Sequence, residues 1–201
     1  VSATGQTFRV PDTATVSAGV VTQAATAGEA MAANAHQMNA AFNALMRAGI
    51  PQRNIQTSQL SLQPRYDYKD RQAPVVTGYE ARNTVTAKSE NIEGVGAMLD
   101  ALVRAGANNI NGVTFSVKNP DAAKSEARAA AIKSARQKAE EMARSAGVRL
   151  GRIVNLSESG GYNQPQPRMM ANSAASYEST PVAAGEQALS VSVNITYEIV
   201  Q

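Results

Sequence analysis

The order strand, helix, strand occurs twice within the first 117 residues, and this repeat limits the possible folds more than any other feature. The first predicted helix ends in Leu45-Met46-Arg47-Ala48-Gly49, and the second ends in Leu102-Val103-Arg104-Ala105-Gly106. After each glycine comes a short polar link and another strand. The resulting order, βαββαβ, is that of a split βαβ arrangement. A shared Arg-Ala-Gly ending also fits the chemistry that terminates helices, so both interpretations stay open.

In the first copy, a strand pattern changes into a helical one. Apolar and polar residues alternate over residues 14–20, which predicts a half-buried strand. Thr26 and Glu29 have the spacing of a capping box, which predicts the start of a helix. A further strand is predicted at about residues 55–63. The apolar positions of the helix form one stripe: Met31, Ala35, Met38, Phe42, Leu45 and Met46.

The second copy has the same order. Residues 64–75 are polar and predict a hairpin excursion before the next strand, 79–87, in which one face is apolar except for Asn83. A second helix is predicted over residues 91–105, followed by a strand at 113–117. The inward positions of this helix are predicted to be Ile92, Val95, Leu99, Leu102 and Val103.

A long third helix is predicted after the repeat. Asn119 suits the N-cap, Pro120 suits the first helical position, and Asp121 complements the positive end of the helix dipole. The chain from there to Ala146 is rich in alanine and contains neither glycine nor proline. At 1.5 Å per residue, this helix would be roughly 40 Å long.

The last part of the chain contains two predicted strands and a polar loop between them. One strand lies near residues 153–156, and the other alternates without interruption over residues 189–199, a length that implies a sheet edge or centre important for assembly. Residues 159–186 are rich in Ser, Gly, Pro and Asn. We therefore predict an α+β fold with helices packed on sheet. It forms a single domain over residues 1–201, with a flexible polar loop at about 159–186.

The residue types exclude most familiar catalytic and metal sites. The chain has no cysteine, which removes disulfides, thiol nucleophiles and cysteine-ligated metals. His36 is the only histidine and is predicted to lie at the surface or at the core boundary. Lys124 and Ser125 are adjacent on a helix and do not face each other. We predict no catalytic, cofactor-binding or metal-binding residues, and no cofactor.

Three other patterns have ordinary explanations. The segment Glu93-Gly94-Val95-Gly96 lacks the lysine and hydroxyl residue of a phosphate loop. Glu140 and Glu141 are neighbours on a helix and point about 100° apart, so they are predicted to be solvated. Met169 and Met170 follow an arginine in the polar loop, where they are predicted to be incidental or to dock on a neighbouring subunit.

The positive charge is local. The net charge is +3, yet residues 121–152 contain eight basic and four acidic side chains. A solvated helix surface and a face for an anionic partner both fit this excess. The basic stretch lacks interleaved aromatic residues, so no nucleic acid partner is predicted. No run approaches the roughly 18 apolar residues that span a bilayer. The chain begins at Val1, which fits either a processed or a shortened protein.

Several segments, in order along the chain, carry a resemblance to a known family. They are Val1-Ser2-Ala3-Thr4-Gly5 with Pro11-Asp12-Thr13-Ala14, Gly78-Tyr79-Glu80-Ala81-Arg82-Asn83-Thr84-Val85, residues 130–140, Ala146-Gly147-Val148-Arg149-Leu150-Gly151, Pro181-Val182-Ala183-Ala184-Gly185-Glu186 and residues 191–199. Together they resemble the SIMPL-domain family, a bacterial domain of unknown function that includes immunogenic proteins of the Gram-negative periplasm.

The resemblance implies an exported protein, periplasmic or attached to the outer membrane, with no established enzyme activity. It supplies no catalytic residues to assign. Some relatives are linked to oxidative-stress defence, and some assemble into ring-like oligomers. The position of Asn83 within a family segment implies that its polarity is structural.

Three hypotheses about function follow from the sequence. The first is a non-catalytic periplasmic protein that self-assembles as a homo-oligomer, suggested by the long terminal strand and by residues 159–186. The second is a module that binds an anionic envelope component through the basic helix 121–146. The third is an enzyme of an unrecognised kind.

Overall fold

The computed structural model describes residues 1–68, 73–159, 167–168 and 180–200 of the chain. These residues form two compact units. The first, which we call the repeat unit, contains residues 12–115 and 180–183, and the second, the terminal unit, contains the remaining described residues. That residues 1–201 behave as a single domain stays a prediction.

Helices and antiparallel strands are both present, which confirms the α+β class. The helices are α1 (Ala27–Arg47), α2 (Val95–Arg104) and α3 (Asp121–Ser145). The strands are β1 (Ser2–Arg9), β2 (Thr13–Ala24), β3 (Ile55–Asp67), β4 (Val75–Ser89), β5 (Asn109–Ser116), β6 (Arg149–Ser159), β7 (Pro167–Arg168) and β8 (Glu186–Val200). A 3-10 turn, Gln52–Asn54, precedes β3.

The repeat unit has the predicted βαββαβ order. Its two halves are β2-α1-β3 and β4-α2-β5, and its sheet has the strand order β3-β4-β2-β5. β4 pairs antiparallel with both β2 and β3. The inward side chains of β2 and β4 form one apolar core with α1 and α2, because every second residue of a strand points to the same face.

Helix α1 begins at the predicted capping box. The Glu29 amide donates to the Thr26 hydroxyl at 3.3 Å, and the Thr26 amide donates to the Glu29 carboxylate at 3.2 Å. These two bonds satisfy amides that have no partner within the first turn of the helix.

The buried face of α1 differs from the predicted stripe. Met31 is only half-buried, and Ala35 and Met46 are exposed. The reason is Asn34, a polar residue at the centre of the buried face, whose side-chain amide donates to the carbonyls of Val20 at 2.9 Å and Ala81 at 3.1 Å. The buried positions are Ala30, Asn34, Met38, Ala41, Ala44 and Leu45.

Helix α2 is shorter than predicted. It begins at Val95 rather than near residue 91, because the Asn91 side chain accepts a hydrogen bond from the Gly94 amide at 3.0 Å and forms a separate turn there. Val95, Leu99 and Leu102 are buried as predicted. Val103 was predicted to point inward and is 55% exposed, so that assignment is wrong.

Helices α1 and α2 end with the same backbone arrangement. In α1 the amide of Ile50 donates to the carbonyl of Leu45 at 3.1 Å, and in α2 the amide of Ala107 donates to the carbonyl of Leu102 at 3.0 Å. The glycine within each turn has a positive φ, 87° in α1 and 104° in α2. Glycine adopts this conformation readily, and the turn satisfies carbonyls that the helix leaves without a partner.

The terminal unit contains a strand that was not predicted. β1 pairs antiparallel with β8 over its whole length, so the sheet has the order β1-β8-β6, and the short strand β7 also pairs with β8. The terminal strand β8 therefore lies at the centre of its sheet. It pairs with β1 over residues 187–194 and with β6 over residues 192–200, so β8 is not the open edge that our assembly hypothesis used.

Helix α3 lies close to its sheet because one of its faces is made of alanine. Its bounds agree with the prediction to within a residue or two. The approach is closest at Gly5 of β1, where an added Cβ would lie 2.0 Å from the Ala127 carbonyl oxygen and 2.6 Å from the Ala131 nitrogen. A side chain at position 5 has no room, which is why glycine is needed there. The buried face of the helix is formed by Ala123, Ala127, Ala131, Ala135, Ala139 and Ala143.

Candidate functional site

The β3–β4 hairpin of the repeat unit exposes an unusual number of large apolar side chains. β3 is an outer strand of its sheet, and its pairing among the described strands is with β4. Leu60 is 56% exposed and Tyr68 is 76% exposed. We call the exposed apolar surface of this hairpin the hairpin patch: Leu60, Leu62, Tyr66, Tyr68, Val75 and Val76.

The position of α1 explains why this patch is uncovered. Leu60 and Leu62 pair with Asn83 and Ala81, so they point to the face of the sheet on which the helices lie. α1 packs mainly on β2 and β4, and β3 lies beside it. Leu60 and Leu62 alternate with polar residues as in a half-buried strand. Because none of the described helices covers them, both side chains are exposed to solvent.

The outer edge of β3 is interrupted at two points. The register shifts between Thr57 and Gln59, where Ser58 forms a bulge and its hydroxyl donates to the Thr84 carbonyl at 3.3 Å. Pro64 has no amide to donate. Bulges and prolines limit backbone pairing at a sheet edge. A partner at this edge would therefore contact mainly the apolar side chains.

A second apolar surface lies on the terminal unit. α3 packs mainly on β1 and β8 and leaves β6, an outer strand, largely uncovered. Val154 is 63% exposed and Ile199 is 65% exposed. We call this surface the β6 patch: Ile153, Val154, Leu156, Ile199 and Val200.

The face of the repeat-unit sheet opposite its helices carries a polar network. The Gln23 side-chain amide donates to the Glu80 carboxylate at 2.9 Å, and Arg65 donates to the Gln23 side-chain oxygen at 2.8 Å. Arg82 forms an ion pair with Glu80 at 3.3 Å. The hydrogen bond from Gln23, together with Arg82, lowers the pKa of Glu80 below its ordinary value.

This network predicts an acid-sensitive contribution to stability. Because the pKa of Glu80 is lower in the folded chain, its contribution is full above the ordinary value of 4.5 and is lost as the pH falls through the folded value. We expect the stability difference between wild type and Glu80→Gln to be largest near pH 7 and to shrink below pH 4.5. Urea unfolding from pH 7 to pH 3 measures it. A stability difference that is constant with pH would show that the charge of Glu80 does not contribute to stability.

The residues considered for catalysis lie on α1 and α3. His36 is exposed on α1, as predicted. Ser125 is exposed on α3 beside a half-buried Lys124, and Glu140 pairs with Arg136 at 2.8 Å. Within the described ranges, no group of three or more His, Asp or Glu side chains is placed to hold a metal ion. None of the helices in those ranges has the length and apolar character needed to cross a membrane.

Three cations of the basic stretch are already paired. Arg128 bonds to Glu158, Arg136 to Glu140 and Arg152 to Glu198. Glu158 lies on β6 and Glu198 lies on β8, so Arg128 connects α3 to β6 and Arg152 connects β6 to β8. Arg136 and Glu140 both lie on α3. The pKa of Glu158 is lowered by the hydrogen bond from Arg128. Binding of an anionic envelope component through helix 121–146 stays a prediction, with fewer unpaired cations than the sequence suggested.

Some predicted features lie outside the described residues. They are residues 69–72 of the hairpin excursion, Met169 and Met170, and most of the polar loop predicted at about 159–186. Of that loop, residues 167–168 form β7, and the Thr180 hydroxyl donates to Asp100 of α2 at 2.7 Å.

Asn83 has a polar side chain on the apolar face of β4. Its oxygen is buried and forms no hydrogen bond within the described part of the chain. A structural role for its polarity, as implied by the resemblance, stays a prediction.

The sequence of this chain is similar to those of several bacterial proteins. It is 37% identical to the 26 kDa periplasmic immunogenic protein of Brucella melitensis, over 99% of this chain and 83% of that protein. It is 33% identical to the uncharacterized protein YggE of Escherichia coli K12, over 92% and 74% of the two chains. The corresponding protein of Edwardsiella ictaluri is 30% identical over 83% and 70%.

The same likeness appears at the level of the family. Residues 1–197 match the sequence profile of SIMPL, described as a protein of unknown function (DUF541). The match includes residues of both compact units, the whole hairpin patch, and Ile153, Val154 and Leu156 of the β6 patch. The chain therefore belongs to the SIMPL family, and it is a periplasmic protein like the Brucella relatives that it resembles.

Proposed function

We propose that this periplasmic protein is non-catalytic and assembles with further copies of itself through the hairpin patch. The observation that carries the proposal is the exposure of six large apolar side chains along one hairpin. Burial of apolar surface stabilises a contact by roughly 25 cal/mol per Å². Exposed apolar side chains concentrated on one hairpin are typical of an interaction surface.

The partner surface that fits best is the β6 patch of the next copy. Both surfaces are apolar and each includes an outer strand, β3 or β6, where a neighbouring chain can approach. Because the two patches differ, the contact is head-to-tail rather than between identical surfaces. Such contacts either close into rings or continue as filaments.

A pair of charge substitutions tests the hairpin patch. We expect Leu60→Lys with Leu62→Lys to reduce the assembly to a chain of 21.1 kDa, because two ammonium groups would be buried at the contact. The matched control is Gln59→Lys with Gln63→Lys, which adds the same charge to exposed positions on the other face of the same strand. The masses are measured by light scattering after size exclusion. Equal loss of assembly in both variants would contradict the proposal.

Mixing two variants tests the head-to-tail contact. Ile153→Lys with Leu156→Lys alters the β6 patch and leaves the hairpin patch intact. When this variant is mixed with the Leu60→Lys and Leu62→Lys variant, the hairpin patch of the first and the β6 patch of the second are both intact and can pair. We expect a complex of two chains in the mixture and single chains in each variant alone. Single chains in the mixture would rule out pairing of these two patches.

Two further parts of the hypothesis stay predictions. A contribution of the predicted polar loop, residues 159–186, to assembly is tested by deleting residues 162–181, which should lower the mass or stability of the assembly. A contribution to oxidative-stress defence is suggested by the family resemblance. Met46 is 46% exposed and Met142 is 58% exposed, so their sulfur atoms would be oxidised early by peroxide.

A further inference from the structure

A cleft between α1 and α2 is lined by equivalent residues of the two repeats. Positions 44, 47 and 48 of α1 correspond to positions 101, 104 and 105 of α2, within the segments Ala-Leu-Met-Arg-Ala-Gly and Ala-Leu-Val-Arg-Ala-Gly. The cleft has a volume of about 340 Å³. It is lined by Ala44, Arg47, Ala48, Ala101, Arg104 and Ala105. Each helix thus supplies one arginine and two alanines to the same depression.

The two arginines are not needed to end their helices. The glycine turns already satisfy the terminal carbonyls through bonds such as Ile50 to Leu45 and Ala107 to Leu102. Arg47 uses one nitrogen, Nε, to donate to the Asn43 carbonyl at 3.3 Å. The other nitrogens of Arg47 and the whole Arg104 guanidinium group make no hydrogen bond or ion pair within the described residues.

The carboxylate nearest to Arg104 along the helix is engaged elsewhere. Asp100 accepts hydrogen bonds from the Thr180 hydroxyl at 2.7 Å and the Thr180 amide at 3.4 Å. None of the described residues that line the cleft is acidic. The two guanidinium charges outweigh the negative ends of the helix dipoles, which amount to about half an elementary charge each. The described residues that line the cleft therefore carry a net positive charge.

We infer that this cleft binds a small dianion that carries phosphate or carboxylate groups. Two arginines on two helices match two negative charges, and the planar guanidinium group pairs well with both kinds of oxyanion. The four alanine methyl groups provide the apolar part of the lining. The volume lies in the range of small-molecule sites, about 300–1,000 Å³. This site is independent of the proposed assembly.

Calorimetric titration with pyrophosphate and with adipate tests the inference. We expect at least one of them to bind saturably with one site per chain. In the double variant Arg47→Gln and Arg104→Gln, the affinity should fall at least about tenfold, because charged hydrogen bonds are lost. Ala101→Leu keeps both charges and fills the cleft, so it should weaken binding as well.

The control removes the same charge elsewhere in the repeat unit. Arg53→Gln with Lys88→Gln changes two exposed cations outside the cleft and should bind as wild type does. No saturable binding of either dianion at 0.15 M salt, or equal weakening in the control, would overturn the inference. Arginine-dependent binding to phosphatidylglycerol vesicles without binding of either soluble dianion would also overturn it, and would assign the cleft to lipid. Circular dichroism checks that each variant is folded.

Discussion

Replacement of Gly5 by alanine is expected to lower the free energy of unfolding by about 3 kcal/mol or more. The new methyl group would lie 2.0 Å from the Ala127 carbonyl oxygen and 2.6 Å from the Ala131 nitrogen. Both are backbone atoms of α3, so no side chain can rotate away. The helix or β1 must move by more than an ångström, and this displacement disturbs the packing of the alanine face on its sheet.

Urea unfolding of wild type, Gly5→Ala and Gly28→Ala measures the effect. Gly28 lies in the first turn of α1, and an added Cβ there meets no atom within 4 Å. Gly28→Ala should leave stability unchanged or raise it by up to about 1 kcal/mol, because alanine favours the helix. A loss below 1 kcal/mol for Gly5→Ala would show that α3 does not pack as closely as described.

Asn34→Asp is expected to lower the free energy of unfolding by about 3 kcal/mol or more at pH 7. The substitution keeps the shape of the side chain but removes the amide that donates to Val20 and Ala81. A carboxylate would then face two carbonyl oxygens in the core. Burial raises the pKa of the introduced carboxyl, so the lost stability should return in part as the pH falls and the group takes up a proton.

Asn39→Asp is the matched control for this substitution. Asn39 is exposed on the same helix, so its replacement should change stability little. Unfolding of both variants between pH 7 and pH 4 distinguishes the buried carboxylate of Asn34→Asp from the exposed one of Asn39→Asp. A loss for Asn34→Asp that does not shrink on acidification would show that the burial of charge is not its cause.

The βαββαβ order was predictable because local signals agreed with it. Alternation marks the strands, a capping box starts α1, and a glycine ends both helices of the repeat. The buried face of α1 was not predictable in detail. An apolar stripe takes no account of Asn34, whose core position depends on carbonyls of β2 and β4 that only the folded sheet brings together.

The arrangement of the terminal unit was less predictable. β1 was not identified because its segment, Ser2–Arg9, has weak alternation and a glycine at its middle. That glycine is explained by the approach of α3, a contact between residues more than 120 positions apart. Without β1, the sequence cannot show that β8 lies at the centre of its sheet.

The two candidate surfaces also depend on tertiary structure. Leu60 and Leu62 alternate with polar residues like any half-buried strand, and only the placement of α1 leaves them exposed. The shared Arg-Ala-Gly segments were visible in the sequence. Their meeting in one cleft follows from the packing of α1 against α2, which the sequence pattern does not specify.

The mass of the wild-type chain in solution tests the proposed self-assembly most directly. Size exclusion with light scattering over a hundredfold range of protein concentration measures it. A head-to-tail contact that closes into a ring predicts a discrete species of several chains whose mass is constant over this range. A single chain of 21.1 kDa at every concentration would contradict self-assembly and would leave the apolar patches without a second copy to bind.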